Sequence, residues 1–261
     1  MTATNTAGLP QLTVQDGRAT ITLNRPEHHN RLHVEDLLAL QQHFAALQAE
    51  PATKLLLITG TGKSFCSGFH LGSLGEGAAA PQAGPQLFEQ TVDALEALAV
   101  PTVCRLNGGV YGGAIDLALA CDFRIGLDTM QARMPAARLG LHYYPSGLRR
   151  YVTRLGLQNA KRLFMLAETL DGRELLALGV LDRLAHGATQ LDALVAEVCD
   201  ALAAGAPLAL RGMKSSLNEI ARGEYHLSAL DERIQRCAGS DDLREGMAAM
   251  AEKRAPRFTG R

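Results

Sequence analysis

The stretch 107-NGGVYGGAIDLALACD-122 decides the reading of this chain, with 64-SFCSGFHLG-72 as its counterpart. Each follows a β-rich run, 101-PTVCRL-106 for the first and 54-KLLLITG-60 for the second. In the first, Leu117, Leu119 and Ala120 open a helical pattern directly after Gly112-Gly113. The start of a helix carries unpaired backbone N–H groups and a partial positive charge, and glycine lets a ligand oxygen approach that backbone closely. Two such N–H groups from separate loops would cradle an oxygen that becomes negative during reaction. The chemistry expected is on an activated carbonyl.

Working outward, 12-LTVQD-16 and 19-ATITLN-24 read as a hairpin turning at Gly17-Arg18. Leu37, Leu40, Phe44 and Leu47 fall at three- and four-residue steps and predict a helix over 34–49, stopped by Pro51. The order strand, helix, strand then predicts a crossover into 54–60. Residues 73–85, rich in Gly, Ala and Pro, read as a surface loop before a helix over 86–98. A strand is expected at 121–126, and helices fill most of the C-terminal half: 147–155, 158–167, 190–204, 207–221, 226–238 and 240–252. In the first of these, Arg149, Arg150 and Arg154 are expected to be exposed. The organisation predicted is a frayed 1–10, an α/β core over 11–200 and a helical region over 201–261.

With 47% hydrophobic and 20% charged residues, the chain has an ordinary globular composition. Its net charge of -1, with Lys and Arg scattered, gives no footprint for nucleic acid. The five cysteines are irregularly spaced and form no CxxC pair, so reduced, mostly buried thiols in a cytoplasmic protein are expected. No secretory or transit signal and no membrane span is read, no metal site is expected, and no phosphate-loop or dinucleotide fingerprint is present.

The segments 24-NRPEHHN-30, 55-LLLITGTGKSFCSGFHL-71, 101-PTVCRLNGGVYGGAIDLALACD-122, 134-MPAARLGL-141 and 252-EKRAPRF-258 occur in the order and spacing of the crotonase superfamily, the enoyl-CoA hydratase/isomerase family, which the whole chain resembles. The resemblance implies a repeated ββα spiral with a C-terminal helical region that builds trimers, often paired into hexamers. It implies an acyl-CoA thioester as substrate, with coenzyme A part of that substrate and no separate cofactor. By motif position the oxyanion hole would be the main-chain N–H groups of Phe69 and Gly113. Ser67, His70 and Leu71 fall in the substrate-binding segment, and Phe69 would also shape the acyl pocket. Lys253, Arg254 and Arg257 of the tail stand where phosphate of the nucleotide could be met; a solvated basic tail reads equally well.

Asp116 follows Gly113 by about one helical turn and matches the first of two catalytic glutamates of hydratase-type members. An Asp in a first turn is also stabilised by the helix dipole whatever its function. The second glutamate is replaced by Ala136, which can neither take nor give a proton, so a two-carboxylate addition of water lacks one partner. The loop 141-LHYYPSG-147 offers substitutes: His142 brings an imidazole, a side chain suited to proton transfer, and Tyr143 and Tyr144 carry hydroxyls that can donate or simply wall the pocket. Asp116, His142 and Tyr144 are thus the catalytic candidates, with Ala136 and Tyr143 lining the substrate site. The alternative is an acyl-CoA-binding protein or assembly subunit of the same fold with little catalytic activity.

Overall fold

The computed structural model describes residues 8–70 and 83–261. Leu71 and residues 73–82 of the expected surface loop lie outside the described residues, as do residues 1–7 of the expected frayed end.

The chain opens with strands β1 (Gln11–Gln15) and β2 (Arg18–Leu23), paired antiparallel. The turn between them falls at Asp16-Gly17, one residue earlier than the sequence suggested, and both residues have positive φ, 52° and 77°. That pair of left-handed conformations matches the twist of a two-residue hairpin. Helix α1 (Val34–Ala49) buries Leu37, Leu40, Phe44 and Leu47, the residues whose spacing predicted it. At its start the His33 N–H donates to the Asp36 carboxylate at 2.8 Å, satisfying a donor of the helix entry.

From there the chain alternates between two sheets. Strand β3 (Leu55–Gly60) pairs parallel with β2, and β4 (Ser64–Cys66) leaves for a second sheet. After helix α2 (Ala83–Glu96), β5 (Thr102–Leu106) returns to the first sheet and β6 (Gly109–Tyr111) to the second. Helix α3 (Gly113–Ala120) comes next, then β7 (Phe123–Leu127) in the first sheet and β8 (Gln131–Arg133) in the second. Each turn of the spiral is thus strand, strand, helix. With β9 (Leu170–Asp171) and β10 (Arg183–Ala185) from further along the chain, among the described residues the first sheet has the order β1-β2-β3-β5-β7-β10 and the second β4-β6-β8-β9. The strands of the second sheet are two or three residues long and lack apolar runs, which is why β1, β2, β3, β5 and β7 of the first sheet are legible in sequence and the second sheet is not. Helix α2 begins at Ala83, so residues 83–85, read as loop, belong to it.

Past β8 come helices α4 (Pro145–Leu155) and α5 (Leu157–Lys161), a π-helical turn Arg162–Leu166, β9 (Leu170–Asp171), α6 (Gly172–Ala177) and β10 (Arg183–Ala185). Helix α7 (Ala188–Ala203) closes the outer face of the first sheet. Its Leu191, Val195 and Val198 pack with Leu55, Val103 and Ile125, an arrangement in which both faces of a parallel sheet are covered. Helices α8 (Pro207–Arg222), α9 (Leu227–Ala238) and α10 (Asp241–Glu252) complete the chain.

Candidate active site

Two backbone turns meet at the α3 N-terminus. The turn before Phe69 is fixed by the 24–30 segment: buried Asn30 donates through Nδ2 to the carbonyls of Ser64 at 2.9 Å and Phe65 at 3.1 Å, and its backbone oxygen accepts from Cys66 Sγ at 3.0 Å. Phe69 sits in a parallel bridge with Leu32, made by Leu32 N–H to Gly68 O at 2.9 Å and His70 N–H to Leu32 O at 2.8 Å. In such a bridge the central residue's own N–H points the other way. Gly68 has φ of +91°, and a Cβ built there would lie 2.7 Å from Tyr111 O and 3.2 Å from Gly113 N. Only glycine permits that conformation and that approach. Gly113 is the first residue of α3, where an N–H has no intrahelical acceptor. Among the described residues neither the Phe69 nor the Gly113 N–H has a hydrogen-bond partner.

Both turns line one cleft of about 580 Å³. Its walls are Ser67, Gly68 and Phe69 from the first turn, Tyr111, Gly112 and Gly113 from the second, Pro85, Gln86, Phe88 and Glu89 from α2, and Met134, Pro135, Ala136, Leu139, Leu141, His142, Tyr143 and Tyr144 from the segment after β8. Aromatic rings dominate. Phe88 stands 6.0 Å from Phe69 and meets Tyr144 edge-on at 6.2 Å, while Tyr143 and Tyr144 stack at 4.4 Å. The result is an apolar slot with few polar groups, the usual character of a small-molecule site.

Of the residues singled out by sequence, Ser67, Phe69, Gly113, Ala136, His142, Tyr143 and Tyr144 are brought together in this cleft. Ser67 is half-buried and donates through Oγ to His28 O at 3.3 Å. His70 does not line it; its ring lies 4.8 Å from that of His33. Leu71 is outside the described residues. The tail arginine Arg254 pairs with Glu245 at 2.6 Å rather than standing open for phosphate.

Asp116 was expected to face the substrate. It is instead fully buried behind the cleft wall. Its Oδ2 accepts from the hydroxyls of Tyr144 and Tyr143, and its Oδ1 accepts from Arg150 Nη1 at 2.8 Å. Burial pushes its carboxyl above the ordinary range, and Arg150 and the two phenols work against that rise. Both phenols are pushed up, first by burial and then by the Asp116 charge. Phenols so placed stay protonated and serve as donors.

Arg150, expected on the surface, is completely buried. Besides Asp116 it reaches Glu96 through Nε at 3.1 Å and Asp93 through Nη2 at 2.6 Å. Burial works to lower its pKa, but Asp116 and Glu96 carry it up instead. Arg149 and Arg154 are half-buried and turned to the same Glu96. The polar spacing of α4 hides this, because a buried arginine is legible only once its carboxylate partners on α2 and α3 are known.

His142 is exposed at the cleft rim, and its Nδ1 is 2.8 Å from the Tyr143 carbonyl. A carbonyl can only accept, so Nδ1 carries the proton and, in the neutral ring, Nε2 is the basic nitrogen. Glu89, which no motif marks, is the functional candidate that sequence reasoning passes over. It lies in a helix whose apolar spacing is its only signal.

Comparison with known proteins agrees with this architecture. The family described as Enoyl-CoA hydratase/isomerase matches residues 13–261. The chain is 31% identical to an enoyl-CoA isomerase/hydratase, fer4, of Mycosarcoma maydis, over 92% of this chain and 92% of that protein. It is 28% identical to a crotonyl-CoA hydratase of Syntrophomonas wolfei, over 92% of this chain and 94% of that one. The solved structure of an enoyl-CoA hydratase/carnithine racemase from Magnetospirillum magneticum superposes with a TM-score of 0.91 at 26% identity, covering 97% of this chain and 96% of that one. With a two-sheet ββα spiral and a cleft formed where its turns meet, the chain belongs to the enoyl-CoA hydratase/isomerase family of enzymes.

Proposed function

We propose that the chain transforms an acyl-CoA thioester by stabilising its enolate oxygen with the main-chain N–H groups of Phe69 and Gly113. The observation that carries this reading is the pair of N–H groups, one from each turn, that have no partner among the described residues and line a single apolar cleft. Such donors act where charge develops and need no reorganisation during the reaction. The names of the relatives, an enoyl-CoA isomerase/hydratase and a crotonyl-CoA hydratase among them, support the thioester as substrate class. The coenzyme A moiety would enter past Ser67, and the acyl group would lie between the rings of Phe69, Phe88 and Tyr144.

Simple two-carboxylate hydration is not the reaction this site supports. Ala136 brings no carboxylate to the cleft, and both oxygens of Asp116 are occupied by Arg150 and two tyrosines. Asp116 therefore positions Tyr143 and Tyr144, and proton traffic falls to groups that reach the cleft itself, His142 among them. A reaction that moves a proton along the acyl chain fits better than one that adds water.

Assembly into trimers or paired trimers through the C-terminal helices is part of the same reading. Leu217, Ile220, Leu227, Ile234, Met247 and Met250 on α8, α9 and α10 are exposed, and such faces are normally covered by another chain. No single helix among the described residues is long and apolar enough to cross a membrane, and we place the protein in the cytoplasm. Turnover assays on 3-enoyl-CoA, 2-enoyl-CoA and saturated acyl-CoA esters test the function. Isomerisation outpacing hydration is expected, and failure to bind any of these esters would refute the reading.

A further inference from the structure

One carboxylate reaches the cleft from a side that the family motifs do not cover. Glu89 lies on α2 next to Phe88, whose ring end comes within 2.6 Å of where a Cβ on Gly113 would be. Glu89 itself is half-buried and lines the same cleft. Its Oε1 accepts from Ser146 Oγ at 3.2 Å. That bond ties it to the first turn of α4, beside Gly147, where an added Cβ would meet the Tyr144 ring at 2.8 Å. Among the described residues Glu89 is the one carboxylate in the cleft wall. Where Asp116 spends both oxygens on Arg150 and two phenols, Glu89 has a single neutral donor among the described residues and retains acceptor capacity for a proton.

We propose that Glu89 is the catalytic acid/base of this cleft, the group that takes a proton from the acyl chain and returns it; this rests on the acyl-CoA reading above. In the step, the α C–H bond breaks and a Glu89 O–H bond forms. The C–H electron pair becomes the enolate double bond, and the carbonyl π pair moves onto the thioester oxygen between the Phe69 and Gly113 N–H groups. Return of the proton to the α-carbon, or to the γ-carbon when a β,γ double bond makes the intermediate a dienolate, restores a thioester, and no oxidant, reductant or second substrate is consumed.

The test is exchange of α-hydrogen for deuterium in hexanoyl-CoA and phenylacetyl-CoA, read by mass spectrometry in D2O beside calorimetric binding of the same esters. Wild type, Glu89→Gln and Glu89→Asp are compared. Glutamine keeps an oxygen for Ser146 but cannot take the proton. Exchange in Glu89→Gln is expected to fall about 10²–10⁴-fold, the usual contribution of one positioned base, with ester affinity and Tm unchanged. Glu89→Asp should recover part of the rate, and the acid limb of the wild-type pH profile should vanish in Glu89→Gln. Wild-type exchange in Glu89→Gln overturns the proposal, as does a loss that appears only together with lowered Tm. So does a loss confined to His142→Gln. Esters that bind wild type without any exchange also overturn it while leaving the acyl-CoA reading intact, whereas esters that do not bind remove both.

Discussion

Arg150 Nη1 donates to Asp116 Oδ1 at 2.8 Å, and both side chains are wholly excluded from solvent. One guanidinium on α4 thus holds a carboxylate from the first turn of the helix that opens on the cleft. Through Asp116 it also fixes Tyr143 and Tyr144, whose hydroxyls end on Oδ2. Asp116, which the resemblance sets at the place of a catalytic acid, anchors an aromatic wall.

Breaking that anchor should be costly. Arg150→Met would leave Asp116 buried without its cation, and removal of one partner of a buried pair typically costs about 3–5 kcal/mol. Urea unfolding is the measurement. Adding Asp116→Asn to Arg150→Met should restore part of the loss, since the stranded charge is then gone. A single variant as stable as wild type would show that the pair contributes nothing.

Tyr144→Phe removes a donor to a charged, buried acceptor, a bond worth about 1.5–3 kcal/mol. Chemical unfolding should report a loss in that range. A change near zero would mean that the ring's packing against Phe88 and Tyr143, not its hydroxyl, holds Tyr144 in place.

Two of the three carboxylates around Arg150, Glu96 and Asp116, are shifted in opposite senses. Burial works to raise the Glu96 pKa, but Arg150 and its neighbouring arginines outweigh it and hold the group below the ordinary value. Its contribution to stability is therefore fully present above the unfolded value of about 4.3 and lost as pH falls through the depressed folded value. Asp116 is raised, so the folded state loses stability as pH climbs from the ordinary value through the raised one. Glu96→Gln should lower stability at pH 7 and flatten its decline below about pH 4.3. Equal slopes in the two proteins, measured by urea unfolding from pH 7 to pH 3, would contradict the assignment.

Most of the first sheet and most helices are legible in sequence because their apolar residues repeat at the period of the element, as Leu37, Leu40, Phe44 and Leu47 do, while the three-residue strand Arg183–Ala185 is not. The second sheet is not, since Ser64–Cys66, Gly109–Tyr111 and Gln131–Arg133 are too short for any period to register. The turns around Phe69 and Gly113 can be placed because glycine marks backbone that no other residue can supply. Arg150 and Glu89 cannot, because what decides a polar side chain's role is the partner that another element brings to it.

The Gly113 N–H can be tested with a pair of variants that share the same steric change. Proline is accepted at the first helical position, so Gly113→Pro deletes the donor while bringing a Cβ against the Phe88 ring. Gly113→Ala brings the same Cβ but keeps the N–H, and the ratio of the two variants isolates the hydrogen bond. The rate ratio is expected to be about 10²–10³, as for other oxyanion-hole donors. Equal rates in the two would remove Gly113 from the mechanism.

Ala136 allows the reaction type itself to be changed. It lies in the 3-10 turn Ala136–Leu139 and lines the cleft. With alanine there, hydration of crotonyl-CoA should be very slow, because no second carboxylate can activate the water. Ala136→Glu adds a carboxylate where the resemblance to hydratase-type members expects one and should raise hydration by about 10²-fold or more. Ala136→Gln is the control, equal in size but unable to take a proton, and should gain nothing. If the wild-type protein already hydrates crotonyl-CoA at ordinary enzyme rates, the missing glutamate is not missing chemically. Loss of hydration in His142→Ala would then identify that imidazole as the group replacing it.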